Sequence, residues 1–384
     1  MSDAFIPLSV PNLKGNELKY VTTAVETEWV STAGPYVSDF EKKIAEYVGT
    51  PGAVSCQNGT AGLHIALMLS GVTREDAVIV PTLTFIAAVN PVKCIGAEPI
   101  FMDCDDSLCI DPVKLERFCR EECDFADGKL VDKAFGRHIK AITVVHVFGN
   151  MADMEAIMPI AQKYNLKVVE DATEALGTYY TEGIYEGKYA GTIGDIGVYS
   201  FNGNKIITTG GGGMIVSNNA ETLAHAKHLT TQAKADEANF IHDEIGYNYR
   251  MTNLQAALGI AQLEQLEGFI AVKAQNYERY KAGVEMIAGL SLLPFRKGIR
   301  TNHWFYSVVC HDDYASSRDE IILKLRENSI QSRPIWGLIS EQKPYQGSHE
   351  YQIEVAKNYW KRVVNVPCST NLSADDVDRV LGLL

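Results

Sequence analysis

Three short stretches carry side chains whose types and spacing could do chemistry. In Ser200-Phe-Asn-Gly-Asn-Lys205 a lysine follows an apolar segment, Ile196 to Phe201, and precedes four glycines, Gly210 to Gly213. A lysine held partly out of water loses its proton more readily and becomes an amine nucleophile able to form a Schiff base. A lone lysine on a turn is more often a surface residue, so its weight depends on what accompanies it. Asn58-Gly59-Thr60 lies between a short strand and an apolar helix. Backbone N–H groups and a hydroxyl at such a place bind phosphate, although on this fragment alone a plain Thr60 helix cap is the commoner use. Leu166-Lys-Val-Val-Glu-Asp171 ends a hydrophobic strand in a carboxylate. In doubly wound sheets that end faces the ligand crevice, where Asp171 could pair with a protonated ring nitrogen or merely cap the next segment, Ala172 to Leu176.

A phosphate anchor, a strand-end acid and a lysine together fit one ligand, pyridoxal 5'-phosphate (PLP). Ser200 could add a second phosphate donor. Phe85, in Pro81-Thr-Leu-Thr-Phe85, could stack on the ring, although a core aromatic is the commoner use. The chain has neither the G-x-x-x-x-G-K-[ST] of a nucleotide-hydrolysing loop nor a full G-x-G-x-x-G dinucleotide fingerprint there.

The surrounding pattern must hold these stretches in place. Short apolar runs at Ala53–Cys56, Ala77–Val80, Pro99–Met102, Ile139–His146 and Leu166–Asp171 read as strands, and helices alternate with them. Near-continuous apolar strands suit a mostly parallel sheet covered on both faces, an α/β fold. Thr84 to Cys94 reads as a helix, Asp124 to Arg137 as an irregular surface insertion, and Asn253 to about Ala288 as one long helical run. The expected division is a large domain over residues 1–264 and a smaller α+β domain over 265–384.

With 384 residues, 46% of them apolar and 22% charged, the chain has the composition of a globular protein. A net charge of -13 argues against nucleic-acid binding, which needs a basic face. No apolar run approaches the roughly 20 residues that span a bilayer. The opening MSDAFIPLSVPN lacks a basic start and is broken by Asp3, Pro7 and Pro11, so no signal peptide is expected and a cytoplasmic location is. The 8 cysteines form no C-x-x-C pair, which points to reduced thiols and no metal.

Nearly end to end, the chain resembles the DegT/DnrJ/StrS family of PLP-dependent sugar aminotransferases. The resemblance rests on Pro7 to Asn12, Trp29 to Phe40, Asn58-Gly-Thr-Ala-Gly-Leu63, Pro81 to Ala88, His146-Val-Phe-Gly149, Glu170-Asp-Ala-Thr-Glu-Ala-Leu-Gly177, Ser200 to Gly213 and Gly246 to Gly259. It implies PLP-dependent transferase fold type I, with Lys205 as the Schiff-base lysine and Asp171 on the pyridinium nitrogen. Gly59, Thr60 and Ser200 would hold the phosphate, and Phe85 would cover the ring. Asn248 matches an asparagine that reaches the phosphate from a neighbouring subunit, which implies a homodimer with composite sites. Glu174 stands where many relatives carry Gln or His near the ring's phenolic oxygen; ionised it would repel a phenolate, protonated it could donate to one.

For the reaction, the resemblance implies amino transfer from glutamate to a nucleotide-linked keto sugar. The branch it most resembles aminates C4 of a UDP-4-keto-6-deoxy-N-acetylhexosamine, with Trp29, Arg250, His303 and Arg333 as candidate substrate contacts. His303 could instead only pack the small domain, and Arg333 could lie on a surface loop. The alternatives are a GDP-sugar or C3-specific aminotransferase, an aromatic-amine synthase, or a non-catalytic regulator on the same fold. The intact Lys205, Asp171 and Ser200 speak against the last.

Overall fold

The computed structural model describes residues 4–384; Met1, Ser2 and Asp3 of the opening segment lie outside the described residues. A ten-stranded sheet forms the centre. Along it lie Ala53–Cys56, Gly213–Val216, Ile196–Ser200, Lys167–Asp171, His138–Val145, Asp76–Pro81, Glu98–Met102 and His349–Tyr351. From Ile196–Ser200 to His349–Tyr351 every pairing is parallel, and Gly213–Val216 runs against both its neighbours. Asp76–Pro81 is buried at all six positions, as a strand covered on both faces requires.

Three expectations change. The stretch 124–137 is no irregular insertion. Cys123–Ala126 and Lys129–Asp132 form a hairpin that pairs with His138–Val145. Its two-residue turn, Asp127-Gly128, has φ of 52° and 72°, the conformation a tight hairpin demands and that Asp-Gly supplies. Thr84 to Cys94 is not one helix. Phe85 is extended, a short 3-10 turn covers Ile86–Ala88, and a new helix begins at Asn90 with Pro91 in its first turn. The long run from Asn253 breaks into Asn253–Leu263 and Leu266–Val284. At the break, the amides of Gln262 and Gln265 both donate to the buried carboxylate of Glu17.

The C-terminal part builds a four-stranded antiparallel sheet from Leu290–Leu292, Tyr306–Cys310, Val363–Val366 and Arg333–Pro334. It is stitched to the large sheet in two places. Ile6 bridges Ile330, and Leu8 accepts the N–H of Cys368, so the N-terminal strap lies on the C-terminal part. In the other direction His349–Tyr351 extends the large sheet beside Glu98–Met102.

Asp103, the residue after that last strand, is buried and accepts the N–H groups of Glu354, Val355 and Ala356 at 2.9, 2.9 and 2.8 Å, capping the helix Val355–Arg362 from outside. Lys114 adds a 2.7 Å contact. Burial alone would raise the carboxyl's pKa, but Lys114 and the three N–H groups outweigh it and hold it below the usual range. Stability from Asp103 is therefore present above the ordinary carboxylate range and is lost as pH falls through the depressed value. Asp103→Ala should cost on the order of 3 kcal/mol in urea unfolding at neutral pH. That gap should narrow in acid, where the wild-type carboxyl takes up its proton.

Candidate active site

The strand Lys167–Asp171 delivers two buried carboxylates in succession, and strand alternation sends them to opposite faces. Glu170 is fully satisfied. It accepts the N–H of Gly191 at 2.9 Å, of Ile193 at 2.7 Å and of Gly194, and it meets His146 Nε2 at 2.8 Å. The N–H of Ala152 donates to His146 Nδ1 at 3.1 Å, which assigns the imidazole proton to Nε2 and makes His146 a donor to Glu170. Asp171 has far less. Burial raises its pKa, opposed by Thr173, whose N–H donates at 3.0 Å, and by the charge of Lys205.

Asp171 opens into a cavity of about 290 Å³. Gly59, Thr60, Phe85, Thr173, Glu174, Ser200, Lys205, Trp304 and Trp336 are among its lining residues. The helix Gly59–Leu69 points its N-terminus there. The cap is Asn58, not Thr60: its Oδ1 accepts from Ala61 N–H at 2.8 Å. The Thr60 hydroxyl and the N–H groups of Gly59 and Thr60 keep no protein partner among the described residues. A Cβ on Gly59 would stand 3.0 Å from both Ser200 Cβ and Thr173 Cγ2, so glycine lets the helix end close on Ser200. Gly213 is needed for a similar reason, since a Cβ there would meet the Asn58 backbone at 2.7 Å. These free donors, with a hydroxyl at either side, suit a phosphate.

Lys205 is 11% exposed, its Nζ 3.6 Å from Glu174 Oε1 and 4.2 Å from the centre of the Trp304 ring. Trp304 is fixed by its indole N–H, which donates to the Asn204 carbonyl at 2.7 Å. Glu174 Oε2 accepts the N–H of Phe148 at 2.8 Å, a residue at φ 57°. Burial pushes Glu174 up to about 7; Lys205 and the Phe148 N–H oppose this and Asp171 adds to it. A carboxyl that titrates at neutral pH thus sits beside the lysine. Strand-end acid, free N–H donors and near-buried lysine fit a phosphorylated pyridine ring.

Phe85 lines the cavity at its mouth, 53% exposed. The remaining expected residues do not gather here. Asn248 and Arg250 lie outside the cavity, with Arg250 Nε donating to Asn248 Oδ1 at 3.0 Å. Trp29 is 53% exposed, and its carbonyl accepts from Asn253. Arg333 is exposed on its short strand. His303 lines a different cleft, its ring centre 4.8 Å from those of both Tyr277 and Phe295. Burial, with Lys273 and Arg300 nearby, pushes it down to about 4, so it is neutral at physiological pH. Sequence reasoning named neither Trp304 nor Trp336 as a site residue.

Residues 11–384 match the DegT/DnrJ/EryC1/StrS aminotransferase family. The chain belongs to that family. This DegT-type enzyme is a PLP-dependent sugar aminotransferase of fold type I. It is 37% identical over 374 residues to GDP-perosamine synthase of Escherichia coli O157:H7, covering 97% of this chain and 96% of that one. To GDP-perosamine synthase of Caulobacter vibrioides it is 35% identical over 382 residues, covering 99% and 97%. It superposes on the aminotransferase TlmJ of Streptoalloteichus hindustanus with a TM-score of 0.88 at 27% identity, over 99% and 98% of the two chains.

Because Glu174 holds its proton more tightly folded than unfolded, its contribution to stability is full in acid and lost as pH rises through about 7. Glu174→Gln removes that loss. In the cofactor-free protein the variant should gain on wild type by on the order of 3 kcal/mol between about pH 5 and 8 in urea unfolding. A difference that stays flat across that range would show that Glu174 titrates normally.

Proposed function

We propose that this enzyme moves an amino group from glutamate to a nucleotide-linked keto sugar, with Lys205 as its catalytic residue. The observation that carries this reading is the meeting of Lys205, Asp171, Ser200 and the open end of the helix Gly59–Leu69 around one cavity. Asp171 would pair with the ring nitrogen, Gly59, Thr60 and Ser200 would hold the phosphate, and Phe85 would cover the ring. When bound, the cofactor supplies an electron sink for the carbon bearing the amino group. Lys205 Nζ takes the donor's α-proton and returns a proton to the sugar carbon in the reverse half, acting as base and acid in turn. Glu174, 3.6 Å away and titrating near neutrality, is placed to keep that amine's proton count balanced.

For the sugar, the whole-length likeness to two GDP-perosamine synthases favours a GDP-linked keto sugar over the UDP-linked N-acetylhexosamine that the sequence motifs suggested. A panel of GDP-, UDP- and TDP-linked keto sugars, with amine formation as the readout, should rank the GDP substrate first. Lys205→Ala should abolish turnover on every member and remove the visible absorbance of the purified enzyme. Amination that persists in that variant would sink the assignment.

The cavity has room for the cofactor but few groups for a nucleotide, while Asn248, exposed, and Arg250, half-buried, lie outside it. This supports a homodimer in which each chain lends Asn248 to the other's site. If so, mixing Lys205→Ala with Asn248→Ala protein should restore activity that neither has alone, because the mixed dimer holds one intact site. Activity no higher than the sum of the two would argue for self-contained sites.

A further inference from the structure

Outside the cavity, His228, Asp243 and Glu244 converge between the helix Ala220–Thr230 and the segment that follows it, with His225 at their edge. His225 and His228 are three residues apart and so share one helix face, their ring centres 6.4 Å apart. Asp243 and Glu244 approach from the other side. His228 Nε2 is 2.7 Å from Asp243 Oδ1 and 3.6 Å from Glu244 Oε1, and His225 Nε2 is 2.8 Å from that same Glu244 oxygen.

We propose that His228, Asp243 and Glu244 form a binding site for a divalent transition-metal cation of the zinc type, with His225 beside Glu244 at its edge. Imidazole nitrogens and carboxylate oxygens are ligands that zinc accepts at about 2.0–2.2 Å, so donor atoms around a tetrahedral ion stand roughly 3.3 Å apart. The two His228 separations, 2.7 and 3.6 Å, bracket that value, and the donor atoms of His228, Asp243 and Glu244 all lie within 4.8 Å of one another. One Glu244 oxygen faces both imidazoles, at 2.8 and 3.6 Å. Two neutral imidazoles and two carboxylates carry a summed charge of -2, which a dication cancels. Magnesium, which prefers oxygen ligands and keeps its waters, should compete poorly.

The tie has mechanical sense. The segment from Gln232 to Ile245 leaves Phe240, Ile241 and Ile245 exposed and turns at Gln232, Ala233 and Phe240 with φ of 72°, 50° and 54°, so few apolar contacts of its own chain hold it. A cation would pin the end of that segment to the helix.

The test uses full-length, PLP-loaded protein in a Cys94→Ser background, since Cys94 is the exposed thiol. After chelator treatment, zinc chloride, nickel chloride and magnesium chloride are titrated by calorimetry. We expect saturable binding of a single Zn²⁺ per chain, weak or no response to Mg²⁺, and a rise in melting temperature with zinc. His228→Gln and Glu244→Gln should each weaken zinc binding at least roughly tenfold while leaving far-UV spectrum and PLP content unchanged. Absent saturable zinc binding, or zinc affinity equal in wild type and in the His225→Ala/His228→Ala double variant, would overturn the proposal.

Discussion

Two consecutive buried carboxylates at the end of one strand set the terms for the rest of the structure. Burying an ion costs several kcal/mol unless its oxygens are occupied by donors. Glu170 is occupied completely, by three backbone N–H groups from residues 191–194 and by His146. That satisfaction fixes the crossover before the strand Ile196–Ser200 and the backbone after His138–Val145 at once. Asp171, one residue on and facing the other way, receives a single backbone N–H at its carboxylate and looks onto open space. The fold thus completes one acid from within and leaves its neighbour facing the cavity with one backbone donor.

The same economy governs Lys205. A nearly buried ammonium needs compensation, and here it comes from a ring face and from a carboxyl that is only partly ionised at neutral pH. Neither partner neutralises it outright, as a fully ionised, close-set Asp would. The Phe148 N–H holds Glu174 in place, and Asn302 holds the backbone around it by donating to the carbonyls of Glu174 and Leu176. The amine is thereby positioned between the Trp304 ring and the Glu174 carboxyl.

What could be read from the sequence divides along physical lines. Lys205, Asp171, Gly59, Thr60 and Ser200 sit where strands end and helices begin, and such junctions are marked by local residue pattern. Trp304 and Trp336 enter the cavity from the C-terminal part, so their proximity to Lys205 depends on how that part docks and leaves no local trace. The hairpin at 123–132 had a signal in Asp127-Gly128, but an edge ribbon with Phe125 exposed and Leu130 buried has no apolar run to advertise it. The break after Leu263 depends on Glu17, whose burial beneath two glutamines no helical periodicity reveals. Trp29 and Arg333 are exposed, and their neighbours in sequence say nothing of what they touch.

The short strand His349–Tyr351 has a meaning beyond docking one part of the chain to another. It is the final strand on its side of the large sheet, laid against Glu98–Met102 by residues synthesised some 250 positions later. Until those residues leave the ribosome, Glu98–Met102 is a buried-type strand, rich in apolar side chains, with one row of backbone donors and acceptors exposed. Such an edge is a template for pairing with another nascent chain. A segment of three residues thus closes an edge that would otherwise stand open to pairing with another chain.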